Sequence, residues 1–194
     1  LNTSIQEPES SSHNSSHNSS HDIESDMDAY VKKLIELEGH IPIAKKLEKL
    51  NTETGELEEE EFATVGYGDY GKHVVVGTEE TVEVSKQNLI KNIEKRLPKI
   101  TKAIPNFYSF PTEVKTGIVT SWFRGSMGDS PNTLALINQG KFKEAANEFL
   151  DHEGYRTAVE RKISGIRPRM KYVSDTLLNY GKQLESGEVE PVSD

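Results

Sequence analysis

Apolar positions in the first third of the chain recur at helical spacing and then switch to an extended pattern. Tyr30, Leu34, Ile35 and Leu37 form one stripe. They predict a helix that starts near Asp26 or Asp28, where an acid suits a helix N-terminus, and stops by Gly39, with Pro42 following. Residues 43–50 and 57–65 flank Asn51-Thr52-Glu53-Thr54-Gly55 and predict a long β-hairpin. Val74-Val75-Val76-Gly77 reads as a further short strand. Val82, Leu89, Ile93 and Leu97 fall on one face and predict a long helix over 81–103, with Pro98 placed to bend it. After Pro105 the pattern is all helical: 112–124 with Trp122 and Phe123, 132–138, 141–150, 156–163, and 167–180 closed by Gly181. The expected class is α+β. A small β-hairpin lobe is joined by a long helix to a larger all-helical lobe, with a ligand cleft between them.

The two ends differ from this middle. Residues 1–26 are rich in Ser, Asn and His and nearly devoid of apolar side chains, so they read as a flexible linker that cannot offset its ordering entropy by burial. His13, His17 and His21 repeat every four residues, a spacing that converges on a metal only in a helix. The Asn and Ser residues between them are poor helix formers, so no metal or cofactor is expected. Residues 183–194 read as an acidic flexible tail, leaving 27–182 as the folded domain. The chain opens with leucine, which fits a piece processed or excised from something longer.

Charge sharpens the division into lobes. Residues 27–81 carry 13 acids against 6 bases, and residues 82–182 carry 17 bases against 10 acids. This polarity argues against nucleic acid as the main partner and permits a cationic face toward an anionic polymer. No run is apolar and long enough to span a membrane, and no signal peptide is evident. The absence of cysteine excludes disulfides and thiol catalysis.

Five features then follow in a telling order. Glu38-Gly39 ends the first helix, and Thr64-Val65-Gly66-Tyr67-Gly68 ends the hairpin. Phe123-Arg124 sits on an apolar helix. Leu136-Ile137-Asn138-Gln139-Gly140-Lys141-Phe142-Lys143-Glu144-Ala145-Ala146 and Gly165-Ile166-Arg167-Pro168-Arg169 come later. Across about residues 27–181 this resembles the T-even phage lysozyme family. The resemblance implies a two-lobed lysozyme-like fold and a muramidase. Such an enzyme cleaves the β-1,4 bond between N-acetylmuramic acid and N-acetylglucosamine in peptidoglycan. It further implies a module of a phage virion protein, a tail or baseplate component that acts on the host wall in the periplasm beside other virion proteins.

Glycoside cleavage needs one carboxyl to protonate the leaving oxygen. In hydrolysis by a water on the opposite face, a second carboxylate stands roughly 6.5–9.5 Å away. The family pattern is Glu, eight residues, Asp, five residues, Thr. By resemblance Glu38 takes the acid's position and Thr64 that of the threonine that holds a water. Gly68, Phe123 and Arg124 take substrate-binding positions. Arg124 stands where the family has Gln or Asn, so it fits either an acetamido contact or a structural ion pair. The aspartate has no counterpart, because Glu38 to Thr64 spans 26 residues with no Asp between. Glu58, six residues before Thr64 and on its strand face, keeps the second interval; Glu48, ten after Glu38, nearly keeps the first. Glu58, Glu48, another residue or none remains open. The family's His after Gly-x-Gly is Asp69 here, so the local pairing must differ. Trp122 fits core better than sugar platform. Arg156, Arg161, Lys162, Arg167 and Arg169 offer a basic rim toward an anionic wall, or a plainly solvated face. Two other functions stay in view: a lytic transglycosylase, which needs one acid, and an inactive structural or glycan-binding domain.

Overall fold

In a computed structural model of the chain, which describes residues 20–51, 53–123, 126–151, 155 and 166–192, the class is α+β. Helix α1 (Ser20–Glu38) buries Asp26, Tyr30, Val31 and Leu34, an i, i+4, i+8 stripe that faces the core. It starts six residues ahead of the expected linker boundary. Asp26 is therefore an interior helical residue. Its carboxylate accepts hydrogen bonds from the Lys115 ammonium and from Thr112 Oγ1 (2.7 Å).

Strands β1 (Ile41–Leu50), β2 (Leu57–Gly66) and β3 (Asp69–Tyr70) form an antiparallel sheet in that order. The hairpin closes where Asn51 Oδ1 accepts from the Glu53 and Thr54 amides (2.9 and 3.1 Å), an Asx-type turn completed by Gly55 at φ +75°. Ile41 pairs with Gly66, Lys45 with Thr64, Glu48 with Glu59 and Lys49 with Glu58, with register shifts between Ile41 and Lys45 and between Lys46 and Glu48. Burial is confined to the end next to α1, at Ala44, Ala63, Thr64, Val65 and Gly66.

The expected strand at Val74–Val76 does not form. Gly71 and Gly77 both hold positive φ and turn the chain at either side, and Val75 and Val76 are exposed. The third strand is Asp69–Tyr70, and the segment after it is tied to β1 by backbone bonds between Ala44 and Gly77 and Thr78.

Helix α2 (Val82–Ala103) is capped by Thr81, whose Oγ1 accepts from the Val84 amide. It buries Ser85, Leu89, Ile93 and Ile100 and runs on through Pro98, while Val82, expected on this face, is exposed. A 3-10 turn (Phe107–Ser109) leads to α3 (Thr112–Phe123), buried at every position from 114 to 121. Such all-round burial marks the central helix. It packs against α1, α2 and the last helix. Helices α4 (Pro131–Asn138), α5 (Phe142–Leu150) and α6 (Ile166–Ser186) complete the described set. Phe142, Phe110 and Tyr180 pack edge-on or tilted, with centroids 4.6–6.3 Å apart.

Gly181 does not close α6. The helix passes through it to Ser186 and is followed by Gly187 at φ +74°. Gly181 instead lets α5 approach, since a Cβ there would lie 2.6 Å from Lys143 Cγ and 2.9 Å from its backbone nitrogen. The boundary expected at 182 thus falls inside a helix, and Leu184, Val189 and Val192 pack against the core. The expected helix over 156–163 lies outside the described residues, as do His13, His17, Arg124, Arg156, Arg161 and Lys162.

Candidate active site

Glu38 is the last residue of α1, and Gly39 at φ +67° turns the chain into β1. The register then brings the two glycine-rich turns together, because Ile41 pairs with Gly66. Tyr67 is buried and Gly68 is exposed, so the turn presents bare backbone outward. A Cβ on Gly68 would stand 3.6 Å from Glu38 Oε2. The Glu38 side chain is only 10% exposed, and Arg169 of α6 reaches it: Nη1 lies 3.7 Å from Oε1, and Nη2 donates to the Leu37 carbonyl. One guanidinium therefore grips both the carboxylate and an end carbonyl of α1.

Thr64 is buried on β2, two residues before Gly66, between Lys45 and Tyr70 on the neighbouring strands. Glu38, Thr64 and Gly68 thus gather at one end of the sheet. Glu58 and Glu48 do not join them. Glu58 lies opposite Lys49 beside the hairpin turn, exposed, and accepts from Asn51 Nδ2 at 2.6 Å. Six residues of extended strand separate it from Thr64, about 20 Å at roughly 3.4 Å per residue. Glu48 is exposed opposite Glu59 in the same outer half of the ribbon. The hairpin runs outward from Glu38 and carries these acids with it.

Asp69 is engaged by other side chains. Its Oδ1 is bonded to His73 Nε2 (2.9 Å) and to Asn92 Nδ2 of α2 (3.4 Å). Arg96, one turn beyond Asn92, stacks its guanidinium over the Phe123 ring at 4.1 Å. Burial lowers the Arg96 pKa, and the Asp69 charge opposes that shift. Phe123 is therefore held by a cation from α2, and Trp122 is half-buried against the core.

Two positions in this region escaped sequence reasoning. Arg169, expected on a basic rim or a plainly solvated face, is a partner of Glu38; the signal was its place in Gly-Ile-Arg-Pro-Arg. Arg96 gave no signal, because its partners Phe123 and Asp69 are both remote along the chain. Among the described residues no cluster of three or more His, Cys, Asp or Glu side chains could hold a metal ion, and no helix is long and apolar enough to cross a membrane. A scan against protein-family models and a search of curated proteins each found no match.

Proposed function

We propose that the chain is a lysozyme-like glycosidase that cleaves the β-1,4 bond between N-acetylmuramic acid and N-acetylglucosamine, with Glu38 as proton donor. One observation carries this reading. A carboxyl at a helix end, nearly buried and gripped by Arg169, faces an exposed glycine turn, with a buried threonine two residues before Gly66 on the adjoining strand. A sugar ring can approach bare backbone at Gly68 closely enough for Glu38 to reach its bridging oxygen. The substrate is an anionic polymer, which suits the basic balance of residues 82–182. The phage family that the sequence resembles makes a virion protein acting on the host wall the expected setting.

In hydrolysis Glu38 gives its proton to the leaving oxygen, the C1–O bond breaks, and a water beside Thr64 adds to C1 while a base takes its proton. The placement of Glu48 and Glu58 favours a second route within the same reading. There the muramic acid O6 attacks C1 and its proton returns to Glu38, so a single carboxyl serves both steps and a 1,6-anhydro sugar forms. Mass analysis of fragments from purified peptidoglycan separates the routes, because hydrolysis adds one water per cut and the anhydro route adds none. Binding without turnover by folded protein would leave a lysozyme-like domain used as a structural or glycan-binding part.

A further inference from the structure

His40, directly after Gly39, ties three segments together. Its Nε2 lies 3.0 Å from Ser85 Oγ on the first turns of α2. Ser85 is 2% exposed and donates to Glu80 Oε1 at 2.9 Å. A hydroxyl has one proton, and Ser85 gives it to Glu80. Ser85 therefore accepts from His40, which makes Nε2 the protonated nitrogen. The His40 ring also packs on Tyr67, with centroids 5.1 Å apart. Gly66 lies directly over this network: a Cβ there would be 2.7 Å from Glu80 Oε1 and 2.8 Å from Ser85 Oγ. The strand-end turn that carries Gly68 thus rests on the same two side chains that hold His40.

The turn after Glu38 is held from both sides. Gly39 has space around it, with nothing within 4 Å of a Cβ, and its amide makes a 3.3 Å bond to the Ile35 carbonyl. Arg169 holds the chain before the turn and His40 holds it after. Tyr67, the ring partner of His40, immediately precedes Gly68.

We propose that His40 is a positioning residue that, through Ser85 and Glu80, sets the gap between the Glu38 carboxyl and the Gly68 turn. Its effect on rate rests on the proposed glycosidase reading; the geometry it controls does not. Three variants isolate the bond: His40→Phe keeps a ring on Tyr67 and loses the donor, His40→Gln keeps an N–H, and Ser85→Ala removes the acceptor. Each is checked for folding, then assayed for kcat and KM on peptidoglycan and for the Glu38 and Gly68 backbone amide resonances. His40→Phe and Ser85→Ala should lower kcat about ten- to a hundredfold at unchanged KM, as misplacement of a reacting group does. Both should move the two resonances, and His40→Gln should recover most of kcat and the wild-type positions. Wild-type kcat with unmoved resonances in both loss variants would overturn the proposal. If wild type cleaves nothing, the glycosidase reading fails separately and the resonances alone decide: moved and restored by Gln supports positioning, unmoved rejects it. Should His40→Phe not fold, Ser85→Ala is read by the same criteria.

Discussion

Arg169 Nη1 lies 3.7 Å from Glu38 Oε1, while Nη2 of the same side chain donates to the Leu37 carbonyl. A residue near the start of α6 therefore locks the end of α1, 131 positions earlier. Arg169→Ala removes a charge-assisted hydrogen bond worth roughly 1.5–3 kcal/mol, discounted toward the lower figure because the guanidinium is partly exposed. It also removes one partner of the Glu38 carboxylate. Urea unfolding should register the stability loss, and kcat on peptidoglycan should drop about tenfold or more. Unchanged stability and rate would show that the clamp is idle.

The Asp26–Lys115 pair is buried on both sides and bridges α1 and α3. Removing one partner strands the other charge, so Lys115→Met alone should cost about 3–5 kcal/mol. Asp26→Leu with Lys115→Met together should cost clearly less than Lys115→Met alone. A denaturant-based double-mutant cycle checks this, and additive losses would contradict it.

At Gly181 two effects compete. Alanine is favoured over glycine in a helix interior by about 1 kcal/mol. Its Cβ would however meet Lys143 backbone at 2.9 Å, where relief requires moving α5. Overpacking of this kind costs roughly 1–3 kcal/mol, so Gly181→Ala should be net destabilising in thermal melts. A raised Tm would refute close helix approach as the reason for the glycine.

Burial raises the pKa of Tyr30, Tyr172 and Tyr180, with the Asp26 charge adding to the shift at Tyr30. Above the ordinary tyrosine value of 10.0 the folded chain then binds more protons than the unfolded one. Stability should be full below that pH and fall as pH climbs past it. Spectrophotometric titration should find at least three of the seven tyrosines lagging until the chain unfolds. Seven ordinary titrations in folded protein would contradict the burial.

The readable parts of the sequence were those fixed by local period and turn chemistry. The Glu38-Gly39 helix end, the hairpin around Asn51–Gly55 and the strand reaching Thr64 all follow from short-range pattern. What escaped depends on remote partners. Asp26 looked like a helix start because Lys115, the residue that explains its burial, is 89 positions away. Gly181 looked like a helix stop, because glycine ends helices more often than it admits a neighbour such as Lys143. Spacing made Glu58 attractive as a second carboxyl, yet an extended hairpin moves residues outward at about 3.4 Å each, so interval counts along it do not fix the distance from Glu38. His40, Ser85 and Glu80 carried no motif, since hydrogen bonds between residues as far as 45 positions apart tie them together.

The central claim is that Glu38 is the proton donor and that neither hairpin glutamate shares its work. The most direct measurement is peptidoglycan cleavage by wild type, Glu38→Gln, Glu48→Gln and Glu58→Gln, each verified as folded. The account predicts that Glu38→Gln alone abolishes turnover, while the two hairpin variants cleave as wild type does. Full activity in Glu38→Gln, or loss of activity in Glu58→Gln or Glu48→Gln, would contradict it.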